Sequence, residues 1–198
     1  MSRDPVRLTA TPSQTVGPFF HFGLGDDAAL GCLAGPETAG DGIHLDIGVF
    51  DGAGEPVPDA LIEIWQADAD GTYVRPPRPV DGRSLPAPPA FTGFGRLPTG
   101  SDGVCSFETI RPGRVADAQG VLQAAHINVC LFARGLLRQL YTRIYFDGDA
   151  ALDGDAIYQL VPAERRDTLL AIRVTDAPCR WRFDVRLQGD RETVFFDL

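Results

Sequence analysis

Lysine is absent from this sequence, so its eighteen cationic side chains are all arginines. Chemistry that depends on a lysine amine, such as Schiff-base formation or phosphate binding by a P-loop, is therefore excluded. Asparagine is almost as rare, since Asn128 is the single example, and only three histidines are present. Because these side chains are so few, the placement of His126 two residues before Asn128 is informative.

An excess of positive charge and a long apolar run are also missing. The net charge of −9 has the wrong sign for holding nucleic acid or an anionic membrane through a basic patch. The N-terminus lacks the apolar core of a signal peptide, and no segment has the length of a membrane span. The four cysteines show no C-x-x-C spacing and are expected to be free thiols in a reducing compartment. We expect a cytoplasmic protein that binds neither nucleic acid nor membrane.

What is present is a series of short alternating patterns in a chain of 198 residues, a length that fits one domain over residues 1–198. Alternating apolar and polar residues, separated by Gly/Pro-rich turns, predict β-strands. Residues 162–171 are typical of a helix, because proline suits the first turn and Glu164 suits the positive end of the dipole. We predict an all-β, single-domain β-sandwich with long loops and one or two short helices. The predicted strands are residues 43–50, 60–67, 104–110, 125–135, 139–146 and 180–188.

Two segments fall outside this strand pattern. Residues 1–24 form an N-terminal arm with three prolines and the aromatic cluster Phe19, Phe20 and Phe22, and we expect the arm to dock on another surface. Residues 75–98 hold seven of the sixteen prolines. A segment of this length without secondary structure is usually functional or disordered. Its prolines and aromatic residues favour an ordered loop on a partner or over a site.

Residues 125–135 form the most unusual predicted strand. Side chains alternate between the two faces of a strand, and one face here carries His126, Asn128 and, at its end, Arg134. Buried polar groups need partners, so this face predicts a site, a partner or a hydrogen-bond network. The opposite face is apolar and consists of Ile127, Val129, Leu131 and Ala133.

The pair His126 and Asn128 raises the question of a metal site. Histidines two residues apart on a strand, together with tyrosine phenolates, can hold a hard ferric ion, and Tyr73 follows a predicted turn. An amide is a poor substitute for an imidazole, however, and nothing nearby in the sequence completes the ligand set. A hydrogen-bonded His/Asn pair without metal is the favoured interpretation. The motifs G-x-S-x-G, H-E-x-x-H and the EF-hand spacing, which mark other common sites, do not occur.

Seven segments, in order along nearly the whole chain, resemble those of the intradiol ring-cleavage dioxygenases. Each segment alone is weakly specific, whereas seven in order are specific. The terminal ETVFFDL (192–198) is similar as well. The segments are TPSQTVGP (11–18), EIWQAD with GTY (63–68 and 71–73), SDG (101–103), HIN (126–128), LFARG (131–135), RIYF (143–146) and RFDV (182–185).

The resemblance implies a β-sandwich and, in iron-bearing members, ferric iron held by two tyrosines and by both histidines of a His-x-His strand. The first tyrosine and the first histidine fall on Tyr73 and His126. The second tyrosine falls on Val115 and the second histidine on Asn128. An arginine that stabilises charge on the substrate falls on Gln123. The resemblance therefore implies a vestigial site without metal, and no catalytic residue in this chain.

In this loss of ligands, the sequence resembles the chain without iron in heteromeric members of the family. There, this chain closes one wall of the partner's iron pocket with a Gly-Pro pair of its arm and an arginine at the end of the His-x-Asn strand. These positions correspond to Gly17, Pro18 and Arg134, the expected substrate-binding residues. The resemblance implies an obligate heteromer, in which ferric iron bound by the partner chain supports cleavage of a small aromatic acid by dioxygen.

Two other functions stay open from the residues alone. A stand-alone enzyme would bind iron with Tyr73, His126 and ligands borrowed from elsewhere. A non-catalytic β-sandwich binding module would share only an incidental likeness with the family. The first predicts iron in the isolated chain, and the second predicts a stable monomer.

Overall fold

The structure, a computed structural model, describes residues 10–17, 19–74 and 91–197. Strands dominate this part of the chain and both α-helices are short, which confirms the predicted all-β class. None of the helices described is long and apolar enough to cross a membrane. The elements are α1 (Phe19–Leu24), β1 (Gly42–Phe50), β2 (Leu61–Gln66), β3 (Phe94–Pro98), β4 (Val104–Ile110), β5 (His126–Phe132), β6 (Leu140–Phe146), α2 (Ala156–Leu160), β7 (Leu170–Arg173) and β8 (Arg180–Arg186).

The strands are hydrogen-bonded in the order β3-β2-β5-β6-β7-β8-β1-β4. Neighbours are antiparallel except for β6 with β7 and β1 with β8, which run parallel. The link through β7 is narrow, because two residue pairs join it to β6 and two join it to β8. It connects a half formed by β3, β2, β5 and β6 to a half formed by β7, β8, β1 and β4.

Both halves contribute to one hydrophobic core. On β5, Ile127, Val129 and Leu131 are at most 1% exposed, as their alternation predicts. Burial of one such side chain contributes roughly 1.5–3 kcal/mol, so alternation decides which face of each strand turns inward. The matching residues of β8 are Trp181, Phe183 and Val185.

A smaller apolar cluster covers the outer face of the sheet at the start of β5. Helix α2 begins after Asp155, whose carboxylate accepts a hydrogen bond from the Tyr158 backbone N–H at 2.8 Å and so caps the helix. The Tyr158 ring packs edge-on against Tyr145 of β6, with 5.1 Å between ring centroids. Asp155 also accepts from Ala124 N at 2.7 Å. These contacts bury the outer face of β5 at His126.

Two predictions of secondary structure are wrong. The end of the predicted 75–98 loop forms β3, because Phe94–Pro98 pairs along β2; residues 75–90 of that prediction lie outside the described residues. The predicted helix 162–171 is a 3₁₀ turn over Ala163–Leu169 followed by β7. Pairing of β7 with β6 and β8 outweighs the local helical preference of this segment.

Candidate functional site

Three outward side chains form a row across β2, β5 and β6. The register places Asn128 opposite Trp65 on one side and Arg143 on the other. The Asn128 side-chain amide donates hydrogen bonds to the Tyr73 hydroxyl at 3.0 Å and to the Trp65 carbonyl at 3.3 Å. The Tyr73 and Trp65 rings meet edge to face with centroids 5.9 Å apart. Asn128 therefore ties the chain that follows β2 to the middle of the sheet.

A tight turn after β2 delivers Tyr73 to this position. The Asp68 carboxylate accepts two backbone N–H hydrogen bonds within the turn, including one from Thr72 at 2.8 Å. Gly71 adopts the left-handed conformation with φ of +80°, and its Cα lies so close to the Arg114 carbonyl that a side chain would collide. Glycine is required here both for the backbone angle and for the close approach.

His126 lies at the buried start of β5, where its side chain is almost fully enclosed. Its Nδ1 is 2.8 Å from the Ala124 carbonyl, which only accepts hydrogen bonds, so Nδ1 carries the proton of the neutral ring. Burial and then the nearby Arg143 lower the pKa of His126, while the Ala124 carbonyl and Asp155 act in the opposite direction. The ring is therefore neutral near pH 7.

Gln123 connects the loop before β5 to β6. Its side-chain oxygen accepts a hydrogen bond from Arg143 Nη1 at 2.8 Å, and its backbone N–H donates to the Val115 carbonyl at 2.8 Å. Arg114 Nε donates to the Gln123 carbonyl at 3.0 Å and closes the loop. The hydrogen bonds and the strand register thus bring together the residues of the expected vestigial site, which are Tyr73, Val115, Gln123, His126 and Asn128.

The side chains at this position do not fit a ferric centre. Val115 presents only an alkyl group, and Asn128 directs its NH₂ group, which is a donor and not a metal ligand, at Tyr73. Tyr73 and His126 are the two donors of the expected set that are left. Over residues 10–17, 19–74 and 91–197, no group of three or more His, Cys, Asp or Glu side chains could hold a metal ion.

Sequence reasoning did not assign Trp65, Arg143 and Asp155 to this region. Trp65 and Arg143 belong to segments that carry the family resemblance, and that membership is the signal that could have found them. Asp155 precedes α2, which the sequence pattern did not predict. Strand register brings Trp65 and Arg143 beside Asn128, and a single sequence does not contain the register.

Arg134 lies beyond the other end of β5, roughly 20 Å from Asn128 by the rise of an extended chain. Its side chain is 66% exposed, and its Nε is 3.4 Å from the Asp59 carboxylate. Exposed ion pairs of this kind are weak. Most of the guanidinium donors of Arg134 are therefore available to another anion.

The N-terminal arm docks at this end of β5. The Thr15 hydroxyl accepts a hydrogen bond from the Gly135 backbone N–H at 2.8 Å. The Phe20 ring of α1 packs on Phe132 with 5.3 Å between ring centroids. A small cavity of about 180 Å³ remains between the arm and the chain that follows β5. Residues 1–9 of the predicted arm lie outside the described residues.

Two of the three expected substrate-binding residues belong to these docked segments. Gly17 follows Thr15 by two residues and Arg134 directly precedes Gly135, so the Thr15–Gly135 hydrogen bond brings the two segments together. Gly17 is exposed, and apart from its chain neighbours no described residue has an atom within 4 Å of the position that a Cβ would take. Pro18 lies outside the described residues. The expected substrate-binding positions and the residues of the expected vestigial site thus lie toward opposite ends of β5.

Apolar cavities flank Trp65 on the open outer face. One, of about 280 Å³, extends over β5 and β6 and includes Asn128, Phe132 and Tyr141. Another, of about 510 Å³, extends over β3 and includes Phe94. The Trp65 side chain is 54% exposed between them. An exposed aromatic side chain between two apolar cavities is typical of a contact with another protein.

Comparison with known protein families identifies the family of the chain. A family model described as Dioxygenase matches residues 17–189, which include every strand of the sheet. The chain belongs to the intradiol ring-cleavage dioxygenase family. The resemblance stated from the sequence segments is therefore confirmed.

Individual relatives within the family give a more specific comparison. The chain is 42% identical to the protocatechuate 3,4-dioxygenase alpha chain of Pseudomonas putida, over 96% of this chain and 98% of that one. It is 32% identical to the protocatechuate 3,4-dioxygenase beta chain of Burkholderia cepacia, over 89% of this chain and 75% of that one. Among solved structures, the dioxygenase domain of a dioxygenase carbohydrate-binding protein fusion from Streptomyces sp. SirexAA-E has a TM-score of 0.60 at 27% identity, covering 94% of this chain and 100% of that one.

Proposed function

We propose that this chain is the subunit without iron of a heteromeric dioxygenase of the protocatechuate 3,4-dioxygenase type, built on a two-layer β-sandwich. The observation that carries the proposal is the hydrogen bond from Asn128 to Tyr73, which takes the place of a metal-ligand pair. The match to an alpha chain over nearly its whole length supports the same conclusion. The core shared by the two halves of the sheet supports the sandwich.

In this proposal, ferric iron belongs to an iron-bearing partner chain of the beta type. The similarity between this chain and a beta chain supports two chains of related fold, one with a complete ligand set and one without. Bound in the partner, ferric iron supplies the activation of a catechol ring toward dioxygen. In this proposal, the contribution of the present chain is to substrate binding and not to that step.

Arg134 and the docked arm form the part of the substrate pocket that this chain contributes. Arg134 offers a permanent cation and a planar set of donors that suits the carboxylate of an aromatic acid. Its contact with Asp59 is long and exposed, so the carboxylate of a substrate can compete for it. The family resemblance assigns the Gly17-Pro18 pair to the same pocket; Gly17 belongs to the docked segment, and Pro18 lies outside the described residues. The hydrogen bond of Thr15 fixes where that segment stands relative to β5.

The reaction proposed for the heteromer is insertion of both atoms of dioxygen into protocatechuate. The ring opens between the hydroxylated carbons and gives 3-carboxy-cis,cis-muconate, a step of aromatic catabolism. The arm and the apolar face around Trp65 are the surfaces proposed to meet the partner, and an obligate interface buries more than about 2,000 Å². The four cysteines are free thiols, which supports a cytoplasmic location.

Expression of this chain alone and together with an iron-bearing beta chain tests the proposal. The chain alone should be colourless and should not cleave protocatechuate, whereas the pair should contain iron, show tyrosinate-to-iron absorption and cleave the ring. Stoichiometric iron or ring cleavage in the isolated chain would establish a stand-alone enzyme instead. A stable monomer that does not associate with the beta chain would establish a non-catalytic binding module.

A further inference from the structure

A cleft of about 290 Å³ lies on the outer face of the other half of the sheet. It runs along β7 and β8 and is bounded by the 3₁₀ turn before β7 and by the chain after β8. Three arginines line it, Arg182 and Arg186 from β8 and Arg191 from the following segment. In the sheet order, β6 and β7 separate β8 from β5, so the cleft includes no residue of the surface around Arg134.

Carboxylates in the cleft neutralise two of its three arginines. Arg182 pairs with Asp184 at 2.6 Å, and Arg191 pairs with Asp167 at 2.9 Å. Arg186 has no carboxylate within ion-pair distance among the residues that the structure describes. Three guanidinium groups and two carboxylates leave one positive charge in the cleft. That local excess stands out in a chain whose net charge is −9.

Arg186 is held in place without a carboxylate partner. Its guanidinium group lies 5.5 Å from the centre of the Phe50 ring, and its backbone N–H donates to the Thr193 hydroxyl at 2.9 Å. A guanidinium stacked on an aromatic ring keeps its N–H donors in its own plane, where they remain available. Such a preorganised group is suited to bidentate binding of a carboxylate.

An apolar wall faces these arginines. Leu170 and Ile172 of β7 line the cleft, and Ile172 is 52% exposed, so a bound ring would remove apolar surface from water. The volume is at the lower limit of small-molecule sites, which fits a ligand of about ten non-hydrogen atoms. The single excess charge matches one carboxylate. A phosphate, with its higher charge, would be repelled by Asp167 and Asp184.

We propose that this cleft binds a small aromatic monocarboxylate, with the carboxylate on Arg186 and the ring against Leu170 and Ile172. The inference does not rest on the proposed function, because none of these residues belongs to the Arg134 surface or to the vestigial site. It assigns to β7 and β8 a ligand site of their own.

The methyl resonances of Ile172 report on this cleft directly. In the purified full-length chain with labelled isoleucine methyl groups, titration with benzoate should shift the Ile172 signal until it saturates. The substitution Arg186→Gln should weaken the benzoate affinity seen at this signal by at least about tenfold, as expected when a hydrogen bond to a charged group is lost. Arg186→Lys, which keeps the charge and loses the planar donor pair, should retain part of the affinity.

Arg173→Gln is the matched control. Arg173 lies on β7 next to Ile172, but its guanidinium group stacks on Trp181 at 4.9 Å and does not line the cleft. The benzoate affinity of the Arg173→Gln variant should equal that of the unmodified chain. The proposal is overturned if benzoate does not shift the Ile172 signal. It is also overturned if the Arg186→Gln variant shows the same benzoate affinity as the unmodified chain. A stronger response to inorganic phosphate than to benzoate overturns the ligand class. The position of the ligand-free Ile172 signal verifies that each variant keeps its fold.

Discussion

The side-chain amide of Asn128 donates a hydrogen bond to the Tyr73 hydroxyl, 3.0 Å away and 55 residues earlier in the sequence. The same amide reaches the Trp65 carbonyl at 3.3 Å, so one side chain fastens both β2 and the turn that follows it. The phenol oxygen is used as an acceptor where the family resemblance implies a metal bond. The position therefore has a structural role in this chain.

Removal of either partner of that hydrogen bond should reduce stability. We expect Asn128→Ala and Tyr73→Phe each to lower the free energy of unfolding by about 0.5–1.5 kcal/mol. The double variant should lose less than the sum of the single losses, because both substitutions remove the same bond. Urea unfolding of the four proteins measures this coupling. Strictly additive losses would mean that the bond contributes nothing.

Introducing one histidine should not create an iron site. In Asn128→His, Val115 still supplies no phenolate, so metal analysis should find far less than one iron per chain. The double variant Val115→Tyr/Asn128→His supplies both missing donor types and should hold more iron than either single variant. If Asn128→His alone bound one equivalent, the assignment of ligand positions to this sequence would be wrong.

Loss of the Arg134 guanidinium should affect substrate binding and leave the metal content unchanged. In the heteromer with a beta chain, Arg134→Ala should raise KM by about 10- to 100-fold, the range expected for a hydrogen bond to a charged group. Iron per heteromer should stay constant. Arg138→Ala is a suitable control, because that side chain is 77% exposed and its one ion-pair contact among the described residues is a long one of 4.0 Å to the exposed Asp197. An unaltered KM in Arg134→Ala would exclude Arg134 from the pocket.

The arm should loosen when its hydroxyl anchor is removed. In Thr15→Ala, the Gly135 backbone N–H loses its acceptor, and its hydrogen exchange should accelerate by about two- to tenfold. Thr15→Ser keeps the hydroxyl and should exchange at the original rate. Mass spectrometry of the peptide that contains Gly135 provides the measurement. Equal rates in all three proteins would show that the arm is held by other contacts.

Acid should destabilise the chain partly through His126. Burial, followed by Arg143, lowers the pKa of this imidazole below the 6.5 of an unperturbed histidine, so the unfolded chain takes up the proton first. The stabilisation is fully present above pH 6.5 and is lost as the pH falls from there through the lowered pKa of the folded state. Tyr145 and Asp155 are among the groups that face the ring, and neither is substituted in the variant described next.

His126→Gln should flatten the pH dependence of Tm in this window. His44→Gln, which changes an exposed side chain of β1, should leave that dependence intact. Thermal unfolding at a series of values from roughly pH 5 to 8 compares the two with the unmodified chain. A His126→Gln variant that loses stability in acid as steeply as the unmodified chain would rule out this residue as the cause.

Strand alternation was sufficient to locate much of the sheet. The predicted strand 180–188 contains β8, and the predicted strand 125–135 contains β5. Apolar residues at every second position indicate a strand and also show which of its faces is buried. β3 was missed because glycine and proline within Phe94–Pro98 oppose a strand, and pairing with β2 decides its conformation. The segment 162–171 has local features of a helix, but its end forms β7 between two strands that a sequence window does not include.

The candidate site was predictable as a set of residue types and not as a set of contacts. Spacing alone placed His126 and Asn128 on one face of a strand and Tyr73 after a turn. The resemblance added Val115 and Gln123. The hydrogen bond of Gln123 to Arg143 and that of Asn128 to Tyr73 join residues far apart in sequence. Such contacts depend on strand register and on the turn at Gly71, which only the folded chain provides.

The bond between Asn128 and Tyr73 also limits how this lineage can change. A single substitution at Asn128 gives up a formed hydrogen bond, and with Val115 unchanged it gains no complete ligand set in return. A path to a metal centre at this position therefore passes through an intermediate that is less stable and still lacks a complete ligand set. Selection that acts on one substitution at a time opposes the gain of a metal centre at this position.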